Sequence, residues 1–119
     1  MSIILTIGMP PMGKARPRLG KHGVHMPKKY VQWKKLFGSL AKLQTKESIN
    51  GKFRINICIC TKTGKMRSDV DNVAGSILDA LQDVKIIGND RDCTNLSISL
   101  SREKAGFIVV LLSEATCPT

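Results

Sequence analysis

Between residues 51 and 61 the chain alternates, with Phe53, Ile55, Ile57 and Ile59 on one side and Arg54, Asn56, Cys58 and Cys60 on the other. Successive side chains of a strand point to opposite faces, so this stretch predicts a half-buried strand. A strand with one apolar face needs a second layer over it. Two segments of helical period supply that layer. Over residues 28–46, Tyr30, Trp33, Phe37 and Leu40 recur at spacings of three and four with lysines between them, which makes one buried stripe. Over residues 70–83, Val73, Ile77, Ala80 and Leu81 repeat the pattern. Gly75, inside that second helix, costs about 1 kcal/mol relative to Ala and marks close packing.

The remaining segments complete the order strand, helix, strand, helix, strand, strand. Residues 3–8 are rich in β-branched side chains and predict a first strand. Residues 9–28 hold four of the five prolines and predict a long irregular loop. A second, basic loop spans 62–68, and a turn-rich segment spans 84–93 around Gly88-Asn89-Asp90. Leu96, Ile98 and Leu100 alternate, Phe107–Leu112 is a continuous apolar run, and residues 102–106 predict a hairpin between them. The tail, 113–119, is expected to fray. The expected architecture is one α+β domain over residues 1–119, in two layers, with two helices on one face of a four-stranded mixed sheet.

Charge is distributed unevenly. Residues 1–67 carry fifteen Lys/Arg and a single acid, Glu47, whereas residues 68–119 carry four Lys/Arg and eight acids, for a net charge of +10. Six of the nine acids lie between Asp69 and Asp92. A basic surface favours polyanions because binding releases condensed counterions, and nucleic acid fits better than a membrane, since no basic amphipathic helix dominates. No apolar stretch reaches the roughly 20 residues of a membrane span. The N-terminus lacks the basic start and cleavage site of a signal peptide, so a cytoplasmic protein is expected. Cys58, Cys60, Cys93 and Cys117 form no CxxC pair and read as reduced structural thiols.

The strongest local feature is Ser68-Asp69-Val70-Asp71-Asn72, two carboxylates where a loop enters a helix. A helix start favours acids, so Asp69 or Asp71 serves as an N-cap on the plainest reading. Two carboxylates, Asn72 and a further acid nearby exceed what a cap needs. The other reading is a divalent-metal site, because Mg²⁺ takes hard oxygen ligands, keeps several waters, and needs only two or three carboxylates.

Asp69-Val70-Asp71-Asn72, then Leu78-Asp79-Ala80-Leu81, then Gly88-Asn89-Asp90 resembles the RusA family of Holliday-junction resolvases, with Asp90 nineteen residues after Asp71. Lys14-Ala15-Arg16-Pro17-Arg18 also resembles that family's basic, proline-containing loop, and the similarity extends over roughly residues 3–112. The resemblance implies a homodimer that binds four-way DNA junctions and makes two symmetric nicks, a step in DNA recombination and repair. It implies Mg²⁺ held by three aspartates per subunit, which fall here on Asp69, Asp71 and Asp90, with Asn72 in support. Asp92 is the alternative to Asp90. Two related nicks on opposite strands also suit a two-fold dimer. The sequence departs from the family where a lysine usually stands, four residues after the second acid: that position is Gly75. Lys65 and Arg67, in the preceding loop, are candidate substitutes.

Lys14, Arg16 and Arg18 are the first candidates for DNA contact, with Lys65 and Arg67. Phosphate contacts position a duplex without reading its sequence, which suits recognition of junction shape. Lys34, Lys35 and Lys42 divide between DNA contact and plain solubility. His22 and His25 fit phosphate contact better than metal binding. Asp79 is open between support of the acidic site, a solvated helix position, and a partner for the basic loop. The rival readings are a branched-DNA-binding protein of the same fold without catalysis, favoured by Gly75, a metal-dependent nuclease without junction preference, and an RNA-binding protein. The last is disfavoured because three of the five aromatics sit on a predicted helix instead of a sheet face.

Overall fold

The computed structural model describes residues 1–21, 23–103 and 105–115. The alternation at the centre of the chain forms β4, Phe53–Cys60, and its apolar residues are all buried. Around it stand β1 (Ser2–Ile7), β6 (Phe107–Glu114) and β5 (Cys93–Ser101), in the order β1-β6-β4-β5. β4 and β5 run parallel and the other pairs are antiparallel, so the sheet is mixed, as expected. One face carries Ile3, Leu5, Ile7, Ile55, Ile57, Ile59, Ile108, Val110 and Leu112 into a single core. The helices α1 (Lys28–Gln44) and α2 (Val70–Asp83) cover that face.

The helices hold together through a close crossing and a polar cluster. A Cβ on Gly38 of α1 would lie 2.6 Å from Cγ1 of Val84, so glycine is what lets the helices approach. Trp33 and Phe37 stack with ring centroids 5.1 Å apart. Tyr30, Trp33, Phe37 and Ala41 are buried, while Leu40 of the predicted stripe is only half-buried.

Three expectations need correction. Residues 102–106 do not close a hairpin, because β4 lies between β5 and β6. The connection instead crosses the end of β4, where Gly106 N–H donates to the Cys60 carbonyl at 2.9 Å. The physical reason is burial. β6 puts Ile108, Val110 and Leu112 into the core and fits the inner slot, whereas Leu96 and Leu100 stay 45% and 39% exposed on an edge strand. Second, the 9–28 loop contains a two-stranded ribbon, β2 (Arg18–Gly20) with β3 (Gly23–His25). Third, β6 runs on to Glu114, so the first residues of the expected tail are strand. His22, Lys104, Cys117 and the rest of the tail from 116 on lie outside the described residues.

The turn-rich segment 84–93 is better packed than its composition suggested. Ile86 and Ile87 are fully buried, and Ile87 bridges to Ile49 in parallel. Among the described residues no helix is long and apolar enough to cross a membrane. Cys58, Cys60 and Cys93 form no disulfide among the described residues, and burial pushes the Cys93 thiol up, away from a reactive thiolate.

Candidate functional site

Two basic loops meet at the start of α2. The first is anchored from three sides. Trp33 Nε1–H donates to the Pro10 carbonyl at 2.8 Å, the Ser76 hydroxyl donates to the Met12 carbonyl, and Lys14 N–H donates to the Asn72 carbonyl at 3.1 Å. Between these anchors, a Cβ on Gly13 would lie 2.9 Å from Ser68 Oγ and 3.7 Å from Asn72 Cβ. Glycine at 13 therefore lets the chain press against the residues that flank Asp69. The basic loop thus lies on the first turns of α2 instead of standing in solvent. Ser76 was legible in principle, since it is a polar residue on the apolar stripe and is fully buried.

The second loop, between β4 and α2, closes a cleft of about 250 Å³ lined by Pro11, Thr61, Lys65, Met66, Arg67 and Ser68. Two of these are cations, and the lining runs directly into Asp69. The sequence pointed to Lys65 and Arg67 but not to Pro11, which arrives from the first loop, or to Thr61, which opens the second.

Asp69 occupies the N-cap position of α2, yet its side chain makes no capping hydrogen bond. Asp71 follows in the first turn. Asp69, Asp71 and Asn72 are all exposed. Among the described residues neither carboxylate is held by a hydrogen bond or an ion pair. The plain capping role therefore leaves both carboxylates unaccounted for. Both sit at the positive end of the helix dipole.

Asp90 is elsewhere. It opens a short 3-10 turn, Asp90–Asp92, and its N–H donates to Gln82 Oε1 at 2.9 Å, beside the last turn of α2. α2 has fourteen residues, and at about 1.5 Å per residue its ends are about 20 Å apart. The strands agree. β4 and β5 run parallel from Phe53↔Cys93 to Cys60↔Ser101, and α2 travels back between them. Asp69 and Asp71 thus lie at the Cys60 end and Asp90 at the Cys93 end. Among the described residues no three of His, Cys, Asp and Glu are grouped to hold a metal ion. Asp92 follows Asp90 and shares its distance from α2's start. Asn89 serves the turn, accepting from Arg91 N–H at 2.9 Å.

Asp79 has a partner from each neighbour. It accepts from Tyr30 Oη at 2.7 Å and from Lys34 Nζ at 3.3 Å, and Lys34 reaches Asp83 at 2.9 Å. Burial raises the Asp79 carboxyl, but the Tyr30 hydroxyl and the Lys34 ammonium outweigh it and hold the group below its ordinary value. Burial, with Asp79 beside it, pushes the Tyr30 phenol well above its usual range. This cluster ties α1 to α2, so Asp79 and Lys34 serve the scaffold.

Of the other candidates, Lys14, Arg16, Lys65 and Arg67 are exposed, and Arg18 opens β2. Lys35, Lys42 and His25 are exposed as well. A Cβ on Gly75 would sit 3.4 Å from Lys14 Cδ, so the Lys14 stem lies across the glycine.

The profile of a protein family described as endodeoxyribonuclease RusA matches residues 8–111. No curated protein matches the chain.

Proposed function

The chain belongs to the RusA family of endodeoxyribonucleases, and from that premise we propose that it resolves four-way DNA junctions as a Mg²⁺-dependent homodimer. Each centre takes Asp69 and Asp71 from one subunit and Asp90 from the other. The observation that carries this reading is the pair of exposed, unengaged carboxylates at the start of α2, which follows directly in the chain on a cleft lined by Lys65, Arg67 and Ser68.

The donor set fits the metal. Mg²⁺ is commonly held by one or two carboxylates, with waters and substrate phosphate completing its shell. Asp69 and Asp71 supply hard oxygens that no other group occupies, and Asn72 adds a neutral oxygen donor beside them. Bound next to the scissile phosphate, the ion would supply an activated water and neutralise developing charge. The chain's own cations act on the substrate. Lys65 and Arg67 hold the phosphodiester against the acids, which would otherwise repel it. Lys14 and Arg16, on the loop pinned to α2, extend the positive surface along the backbone of an arm. Lys14 also crosses Gly75, where the family pattern has a lysine, and takes over its charge near the phosphate.

The second reading is a branched-DNA-binding protein of the same fold that cuts poorly. Gly75 favours it, since glycine supplies no cation.

The test uses a labelled four-way junction and a linear duplex of the same sequence, each with Mg²⁺ and with EDTA. Paired symmetric nicks on the junction that require Mg²⁺ support resolution. The Asp71→Asn protein is expected to lose cleavage about 100-fold or more while still binding the junction. Tight binding by the wild-type chain without nicks supports the second reading, and equal cutting of the linear duplex removes the junction preference.

A further inference from the structure

We infer that the β2–β3 ribbon is an apolar wedge, with Leu19 and Val24 entering between unstacked bases at the branch point of a DNA junction. The inference rests on the reading that this chain binds branched DNA.

The ribbon holds its two large apolar residues in water. Leu19 is 86% exposed and Val24 67% exposed, and neither joins the core. They are direct cross-strand partners, so they stand side by side on one face. The opposite face is built differently. A Cβ on Gly20 would lie 2.8 Å from His25 Cε1, so the His25 ring folds over that glycine. Gly20 pairs with Gly23, which takes a φ of 101°, a left-handed backbone that favours glycine. The ribbon therefore reverses tightly, and beyond Leu19 and Val24 the next pair has no side chains to shield them.

The surroundings select the occupant. Lys14, Arg16, Lys21, Lys28 and Lys29 flank the pair along the chain and are exposed. No acid precedes Glu47. Such a surface draws a phosphate backbone, and an apolar pair set among its cations then meets the bases. Leucine is among the side chains that unstack base steps as wedges. Opening costs least where pairing and stacking are already interrupted, as at a branch point.

The anchor of the loop sets the distance. Lys14 N–H donates to the Asn72 carbonyl at 3.1 Å, in the first turns of α2. Leu19 follows five residues later, and an extended chain covers at most about 3.6 Å per residue. The wedge thus stands within about 18 Å of the residues beside Asp69 and Asp71, or about five base steps of a strand. An anionic lipid surface would suit the same charges, but it gives no reason for the pair to be tethered beside exposed carboxylates.

The test uses a four-way junction that carries 2-aminopurine beside the branch point, a base whose emission rises when it unstacks. EDTA is present so that no strand is cut. Saturating wild-type chain is expected to raise the emission on the junction and not on a linear duplex. The Leu19→Ser/Val24→Ser protein is expected to stay folded by circular dichroism, since both positions are exposed, and to lose the rise even at saturation. Its preference for junction over linear duplex should fall about tenfold. Leu19→Met, which keeps an apolar wedge, should retain the rise. A double variant that raises the emission as the wild type does overturns the wedge, and Mg²⁺-dependent nicks from that variant leave resolution standing. Conversion of a sedimenting dimer to a monomer by the double change would assign the pair to a contact between copies. Loss of binding to phosphatidylserine vesicles would assign it to a membrane, and either result overturns the wedge. A wild-type chain that binds junction and linear duplex alike overturns both the wedge and the reading beneath it.

Discussion

At the scale of the residue, each polar side chain of α2 is explained by what it touches or fails to touch. Asp79 is taken by Tyr30 and Lys34, so its chemistry is spent on packing. Tyr30→Phe removes a hydrogen bond to a carboxylate and is expected to cost about 1–2 kcal/mol, read as a lower urea midpoint with unchanged slope. The pH dependence follows from the depressed Asp79 value. Its contribution is present above the ordinary carboxyl value of 3.8 and fades as pH falls through the lower, folded one. Comparing wild-type and Asp79→Asn urea midpoints should show a gap at neutral pH that closes in acid. A gap that persists in acid would contradict the ion pair. Lys14, by contrast, is exposed and lies across Gly75, and on the proposed reading it contacts phosphate. Lys14→Ala is expected to weaken junction binding evenly across sequences and to reduce the log–log salt slope by about 1.

At the scale of the element, the helices and β4 were legible because their periods are clean and their apolar residues large. β4 was read from 51–61 and runs Phe53–Cys60, and the second helix was read at 70–83 and runs Val70–Asp83. The hairpin failed because alternation tells which face of a strand is buried and not which strand lies beside it. Leu96, Ile98 and Leu100 look like any core strand, although β5 ends at the edge. The D-x-D at the start of α2 was visible as a motif, but its separation from Asp90 was not. Nineteen residues of sequence give no distance until the direction of α2 between two parallel strands is known. The helix crossing supports a separate prediction. Gly38→Ala gains about 1 kcal/mol of helix propensity but forces a methyl to within 2.6 Å of the stiff Val84 side chain. Overpacking of this kind costs about 1–3 kcal/mol, so a net loss of thermal stability is expected, and a rise would show that the crossing is loose.

At the scale of the whole molecule, the fold sorts charge by position. The basic loops gather at one end of α2 with two acids, and a further acid waits at the other end. On the proposed reading one copy is an incomplete centre, and two copies related by a two-fold axis make two complete ones, as paired nicks on opposite strands would require. The measurement that bears most directly on this is complementation. Asp71→Asn and Asp90→Asn chains are each inactive alone under this account. Co-expressed, half of the dimers are mixed, and each mixed dimer holds one centre with both changes and one with none. About a quarter of wild-type nicking should return for random pairing, mainly as single nicks instead of symmetric pairs. If the mixture stays as inactive as either variant, the three acids belong to one subunit and the shared centre is wrong.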